Sequence, residues 1–200
     1  MSNPHVLIFR EEDIPPQIVD DFTAILSRLE IPFETEQTKV RICNAVEQYI
    51  PTALVVLLVK PFFEAFLKKA GEDAYTVFKR GLAALAAKAA LVKEQIGSSS
   101  SNNISETSEF SRVISVYSHT STGVRIKFLV PAKATEDEYI QMIDSMLMLL
   151  SYNYAGSPGD ALSTILARSN SGSLKVFRYD LASSSWHLLE PSYNSNAPRA

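Results

Sequence analysis

Cysteine is almost absent from this 200-residue chain: Cys43 stands alone, so no intramolecular disulfide forms. A protein that holds together without disulfides fits a reducing compartment. Histidine is nearly as scarce. His5, His119 and His187 share no ligand spacing with one another or with Cys43, and neither His-x-x-x-His nor Cys-x-x-Cys occurs, so no metal is expected. The glycine-rich phosphate cradles G-x-x-x-x-G-K-[ST] and G-x-G-x-x-G are missing too, and no cofactor is expected. Gly156-Ser-Pro-Gly159 does not complete the G-x-S-x-G nucleophile elbow, and it is read as a helix start.

Seven glycines and ten prolines are too few for a collagenous or elastic chain. The formal net charge of −3 supplies no basic field for nucleic acid. The greasiest run, Ala53 to Val59, is stopped by Lys60 and Pro61, far short of the ~20 residues a membrane-spanning helix needs. The N-terminal residues carry neither the basic start nor the apolar stretch of a signal peptide. No membrane is therefore expected as a partner, and the expected location is cytoplasmic.

What remains is ordinary globular stock, 46% apolar and 20% charged. Serine divides it: Ser2 and Ser27 are the only serines before residue 98, and twenty-two follow. The organisation read from this is a β-α-(β)-α-β-α half over 1–97 and a Ser/Asn-rich linker over 98–110. A ββααββ half over 111–190 and a flexible tail over 191–200 follow, with one core shared between the halves.

His5 to Phe9 reads as a buried strand, and Asp13-Ile-Pro-Pro16 starts a helix, since proline is tolerated in a first turn. Ile18, Val19, Phe22, Ile25, Leu26 and Leu29 follow at helical spacing, and Phe33 to Glu36 reads as a short edge strand. Val40 to Ile50 reads as a second helix. Leu54 to Val59, continuously apolar between Pro51 and Pro61, is expected in the middle of a sheet, covered on both faces. A long Ala-rich helix then spans Pro61 to about Gln95. Gly71 breaks it, or Gly71 and Gly81 let a neighbour approach closely; a break at Gly71 is favoured. Lys68, Lys79 and Lys93 fall on one side of it, read as a solvated face.

Val113 to Tyr117 and Val124 to Val130 form a hairpin, and Thr135 with Glu138 a capping box. Asp160 ends the signal for a short helix that stops near Arg168. Leu174 to Tyr179 and Trp186 to Leu189 close the chain as a second hairpin, anchored by the indole of Trp186. The fold class is α+β: a mixed sheet of about five to seven strands packed with helices, one of them long and Ala-rich.

Charge has a shape along the chain. Residues 1–36 hold eight acids against Arg10 and Arg28, whereas residues 37–97 hold nine bases against five acids. Glu11, Glu12, Asp13, Asp20 and Asp21 are the candidate partner-binding residues. The expectation is a non-catalytic intracellular protein-binding module, of the toxin-neutralising immunity or adaptor kind, that binds a basic protein partner through this acidic surface. No nucleic acid is expected as a partner. The alternative is an enzyme with a carboxylate/His site, built from Glu11, Glu12 or Asp13 at the end of the first strand and from His119. A homodimer through the Ala-rich helix, Gly81 to Ala90, is the third arrangement weighed.

Overall fold

The computed structural model describes residues 3–38, 52–92, 109–168 and 174–189. Seven strands form one mixed sheet: β1 (Val6–Glu11), β2 (Phe33–Thr38), β3 (Leu54–Leu58), β4 (Phe110–His119), β5 (Arg125–Pro131), β6 (Leu174–Asp180) and β7 (Ser185–Leu188). Their order across the sheet is β2-β1-β3-β4-β5-β6-β7. The pairs β1–β2, β3–β4 and β5–β6 are parallel, and the other three are antiparallel. Among the described residues four α-helices accompany them: α1 (Gln17–Arg28), α2 (Glu72–Leu91), α3 (Glu136–Tyr154) and α4 (Ala161–Ala167). The sheet is thus an α+β mixed sheet at the upper end of the expected strand number. The expected helix from Val40 to Ile50, Cys43, most of the linker and the tail lie outside the described residues.

Residue alternation puts α1, α2 and α3 on one face. Val6 and Ile8 of β1 stand in register with Leu58 and Val56 of β3, and these in turn with β4. Val116, Phe128, Phe177 and Leu188 carry the same row across to β7. Such residues join Phe22 and Leu26 of α1, Phe78 and Leu82 of α2, and Ile143 and Leu147 of α3 in one buried cluster that draws on both sides of the serine border. On the opposite face, where no described helix packs, Phe110, Leu129 and Val176 form a smaller cluster.

This arrangement fixes the relative hand of the crossovers. The steps β1 to β2 and β3 to β4 run in opposite directions on oppositely directed strands, so they share a hand. β5 points as β1 does but steps the way β3 does, with α3 on that same face, so its crossover has the other hand. Right-handed crossovers are the strong rule. At least one connection here departs from it.

Local signals explain the elements. Pro16 is the N-cap of α1, where a missing N–H costs nothing. Thr135 Oγ1 accepts from Glu138 N–H at 3.3 Å and Glu138 Oε2 accepts from Thr135 N–H at 2.6 Å, the reciprocal cap that starts α3. Asp160 Oδ1 accepts from Ser163 N–H at 2.9 Å and starts α4. The expected Ala-rich helix is divided: Phe62–Leu67 is a single π-helical turn, and Gly71 is the N-cap of α2. The break at Gly71 is present, and the helix is shorter than its periodicity suggested. β4 begins at Phe110, and Glu109 C=O accepts from Ala132 N–H at 3.0 Å, so the last residues assigned to the linker belong to the sheet.

Two contacts between helices follow from chemistry rather than pattern. Gly81 is where α1 and α2 approach: a Cβ there would lie 2.6 Å from Ile25 Cδ1. Lys79, read as solvated, instead turns toward α3. Its ammonium donates to Asp144 Oδ1 at 2.7 Å, and Tyr75 O–H donates to the same oxygen at 2.8 Å. Burial pushes the Asp144 carboxyl up, but the hydrogen bonds from Lys79 and Tyr75 and the lysine charge hold it below its ordinary value. Burial, together with the bond to Asp144, raises the Tyr75 phenol.

Three outcomes are expected in urea denaturation. Gly81→Ala should be nearly neutral, because the ~1 kcal/mol of helix propensity gained offsets the displacement of Ile25. Combined with Ile25→Val, which deletes Cδ1, the pair should exceed the sum of the single changes by about 1 kcal/mol. Asp144→Asn should cost about 1 kcal/mol at neutral pH. A carboxyl depressed on folding stabilises above its unfolded pKa, so this difference should hold above about pH 5 and shrink as pH falls below about 4.

Candidate protein interface

Two concavities of the described structure adjoin β2. One, about 510 Å³, lies between α1 and the strand and is lined by Asp20, Thr23 and Ala24 of the helix and by Arg10, Phe33 and Thr35 of the sheet, among others. The other, about 330 Å³, lies on the opposite face, where Leu7 and Phe9 sit beside Glu34 and Glu36.

β2 forms because Ile31-Pro32 stops the chain after α1 and Phe33 supplies an apolar foot under the helix. The register Val6↔Phe33 through Glu11↔Thr38 then turns Phe33, Thr35 and Gln37 toward α1, and Glu34 and Glu36 to the other face. Glu34, Thr35, Glu36 and Gln37 are all exposed. As the first strand of the sheet order, β2 has no described strand on its outer side.

The acidic residues named from sequence sit close to this edge, though not as one cluster. Glu11 ends β1 beside Thr38. Glu12 and Asp13 are exposed in the turn before α1, and Asp20 lines the larger concavity. Asp21, also exposed, lies on the side of α1 turned toward α2 and pairs there with Lys88. Glu34 and Glu36 belong with the acidic surface but were not singled out; alternate acids on a short edge strand were the available signal. Arg10, which lines the larger concavity, donates to Ile14 C=O and, at 3.1 Å, to Gln37 Oε1.

The alternative constellation is not assembled. Glu11 N–H donates to Ala53 C=O at one end of β3, whereas His119 stands one residue past Ser118, the partner of Leu58 at the other end. Six residues of strand, about 20 Å, separate the two levels. His119 instead belongs to a hairpin tip pinned to the helical layer. Its C=O accepts from Tyr154 O–H at 2.8 Å, and Ser121 N–H donates to Asn153 Oδ1 at 2.8 Å. Asn153, buried, also donates to Ser163 Oγ at 3.1 Å, so one amide ties hairpin, α3 and α4 together.

The small residues weighed for a homodimer face inward. Gly81, Leu82, Ala83, Leu85, Ala86 and Ala89 are buried within the chain, leaving Ala84, Lys88 and Leu91 outside. Trp186 is buried as expected and its indole N–H donates to Ser145 Oγ at 3.0 Å. Lys127 is fully buried on the face away from the helices, its ammonium 5.2 Å from the centroid of Tyr117. No group of metal-ligating side chains and no helix long and apolar enough to cross a membrane occurs among the described residues.

Comparison with protein-family models, with curated proteins and with solved structures finds no match to this chain.

Proposed function

We propose that this protein is a non-catalytic binding module that holds a basic protein partner through the acidic surface around β2 and the start of α1. Toxin-neutralising immunity and adaptor proteins work in this way, and a cytoplasmic location goes with the reading. The observation that carries it is the placement of acids about one open edge. Glu12, Asp13, Asp20, Glu34 and Glu36 are all exposed, and a concavity borders the strand on each face of the sheet. Among the described residues Arg10 is the one base lining the larger concavity, where it donates to Ile14 C=O and to the amide oxygen of Gln37, and the acids about the edge outnumber it. A field of one sign speeds encounter with an oppositely charged surface and repels partners of its own sign.

Reversing Asp13 and Asp20 to lysine tests the reading, because both are exposed. Affinity capture from the host at low salt should retain a stoichiometric basic protein that about 0.5 M salt releases. The doubly reversed variant should bind that protein at least tenfold more weakly with an unchanged thermal midpoint. Undiminished affinity after charge reversal sinks the acidic-surface reading.

A further inference from the structure

We infer that the partner is held as an added strand: an extended segment with basic residues at alternate positions pairs with the outer edge of β2. This deepens the protein-binding reading above and rests on it.

The argument starts from the backbone of β2. Pro32 C=O accepts from His5 N–H at 2.7 Å and from Val6 N–H at 3.2 Å, so it points at β1. Backbone groups alternate sides along a strand, as side chains alternate faces. Those of Glu34 and Glu36 therefore turn to β1, and those of Phe33, Thr35 and Gln37 turn outward. Among the described residues nothing pairs with these outward groups. An open row of donors and acceptors is a template for another strand, and strand addition is an established mode of peptide recognition.

The flanks of the edge state which strand fits. An added strand presents its side chains alternately to the two faces of the sheet. On one face they meet the concavity that Thr23 and Ala24 of α1 line together with Phe33 and Thr35, with room for small apolar side chains and with Asp20 and Arg10 in the same lining. On the other they stand beside Glu34 and Glu36, with Leu7 and Phe9 behind for an aliphatic stem to cover. Lysine or arginine at every second position, with valine-like residues between, satisfies both faces. A second copy of this chain does not fit, since edge-to-edge pairing would set Glu34 and Glu36 against their own kind.

The probe is a nine-residue peptide of alternating Lys and Val, with a block-ordered peptide of the same composition as control. The alternating peptide should bind and the block-ordered one should bind at least tenfold more weakly. N-methylation removes backbone donors from one alternate set of peptide residues at a time. Methylating one set should abolish binding and methylating the other should leave it. Loss from the valine set marks antiparallel addition, and loss from the lysine set marks parallel addition. Glu34→Lys with Glu36→Lys should weaken binding at least tenfold. So should Thr35→Pro, which deletes one outward N–H at a position where an edge strand tolerates proline.

Equal binding of both methylated peptides overturns strand addition whatever Thr35→Pro does to the fold. Indifference to the two glutamate reversals, or no binding of the alternating peptide at millimolar concentration, overturns it as well. A basic, salt-sensitive partner captured alongside such a result leaves the protein-binding reading standing and removes only the strand mechanism.

Discussion

Parallel pairing of β3 with β4 joins what the sequence composition separates, and every later strand is placed through it. The pairing is in register from Leu54↔Ile114 to Leu58↔Ser118, with apolar residues on both strands filling the face beneath the helices. Three hydroxyls buried along it satisfy one another or the backbone. Thr52 Oγ1 and Ser115 Oγ are 2.8 Å apart, and Ser118 O–H donates to Leu58 C=O at 2.9 Å. A buried hydroxyl without a partner is costly, so these bonds favour one register over a slipped one. The serine enrichment that marks a border in composition is thus partly consumed inside the sheet that crosses it.

Signals that act within a few residues were readable. The proline-flanked run at Leu54 landed beside the sheet centre, Thr135 and Glu138 cap α3, Asp160 caps α4, and Gly71 starts α2. Phe33 begins an edge strand, also as expected. Each of these depends on local backbone geometry or on the pattern of a single element. What was not readable depends on register between distant segments. Lys79 and Asp144 lie 65 positions apart, so nothing local separates a lysine on a solvated face from one bonded between helices. Glu11 and His119 looked like partners because both end strands; the antiparallel β1–β3 pairing sends them to opposite ends.

The candidate site was half legible for the same reason. Acids before and within α1 could be counted along the chain, and Asp20 does line the concavity beside β2. The role of Glu34 and Glu36 follows only once β2 is known to be outermost. Asp21 shows the converse: a neighbour in sequence to Asp20, it is turned by about 100° around the helix and meets Lys88. One residue of helical phase separates a carboxylate beside the edge strand from one beside α2.

The strand order carries a kinetic consequence. Reading across the sheet, five of the six pairings join strands that are consecutive in the chain, by a hairpin or by a helical crossover, and only β1–β3 skips one. The β4–β5 and β6–β7 hairpins close short loops, which lowers the entropic barrier to forming them, whereas the parallel pairs β3–β4 and β5–β6 close loops about as long as that of β1–β3. From β3 onward each strand docks on the one just made. β1 and β2 form a unit that attaches through the β1–β3 pairing. β2, like β7 at the opposite edge, is an element whose arrival no other described strand waits for, and whose departure would leave the other six strands paired.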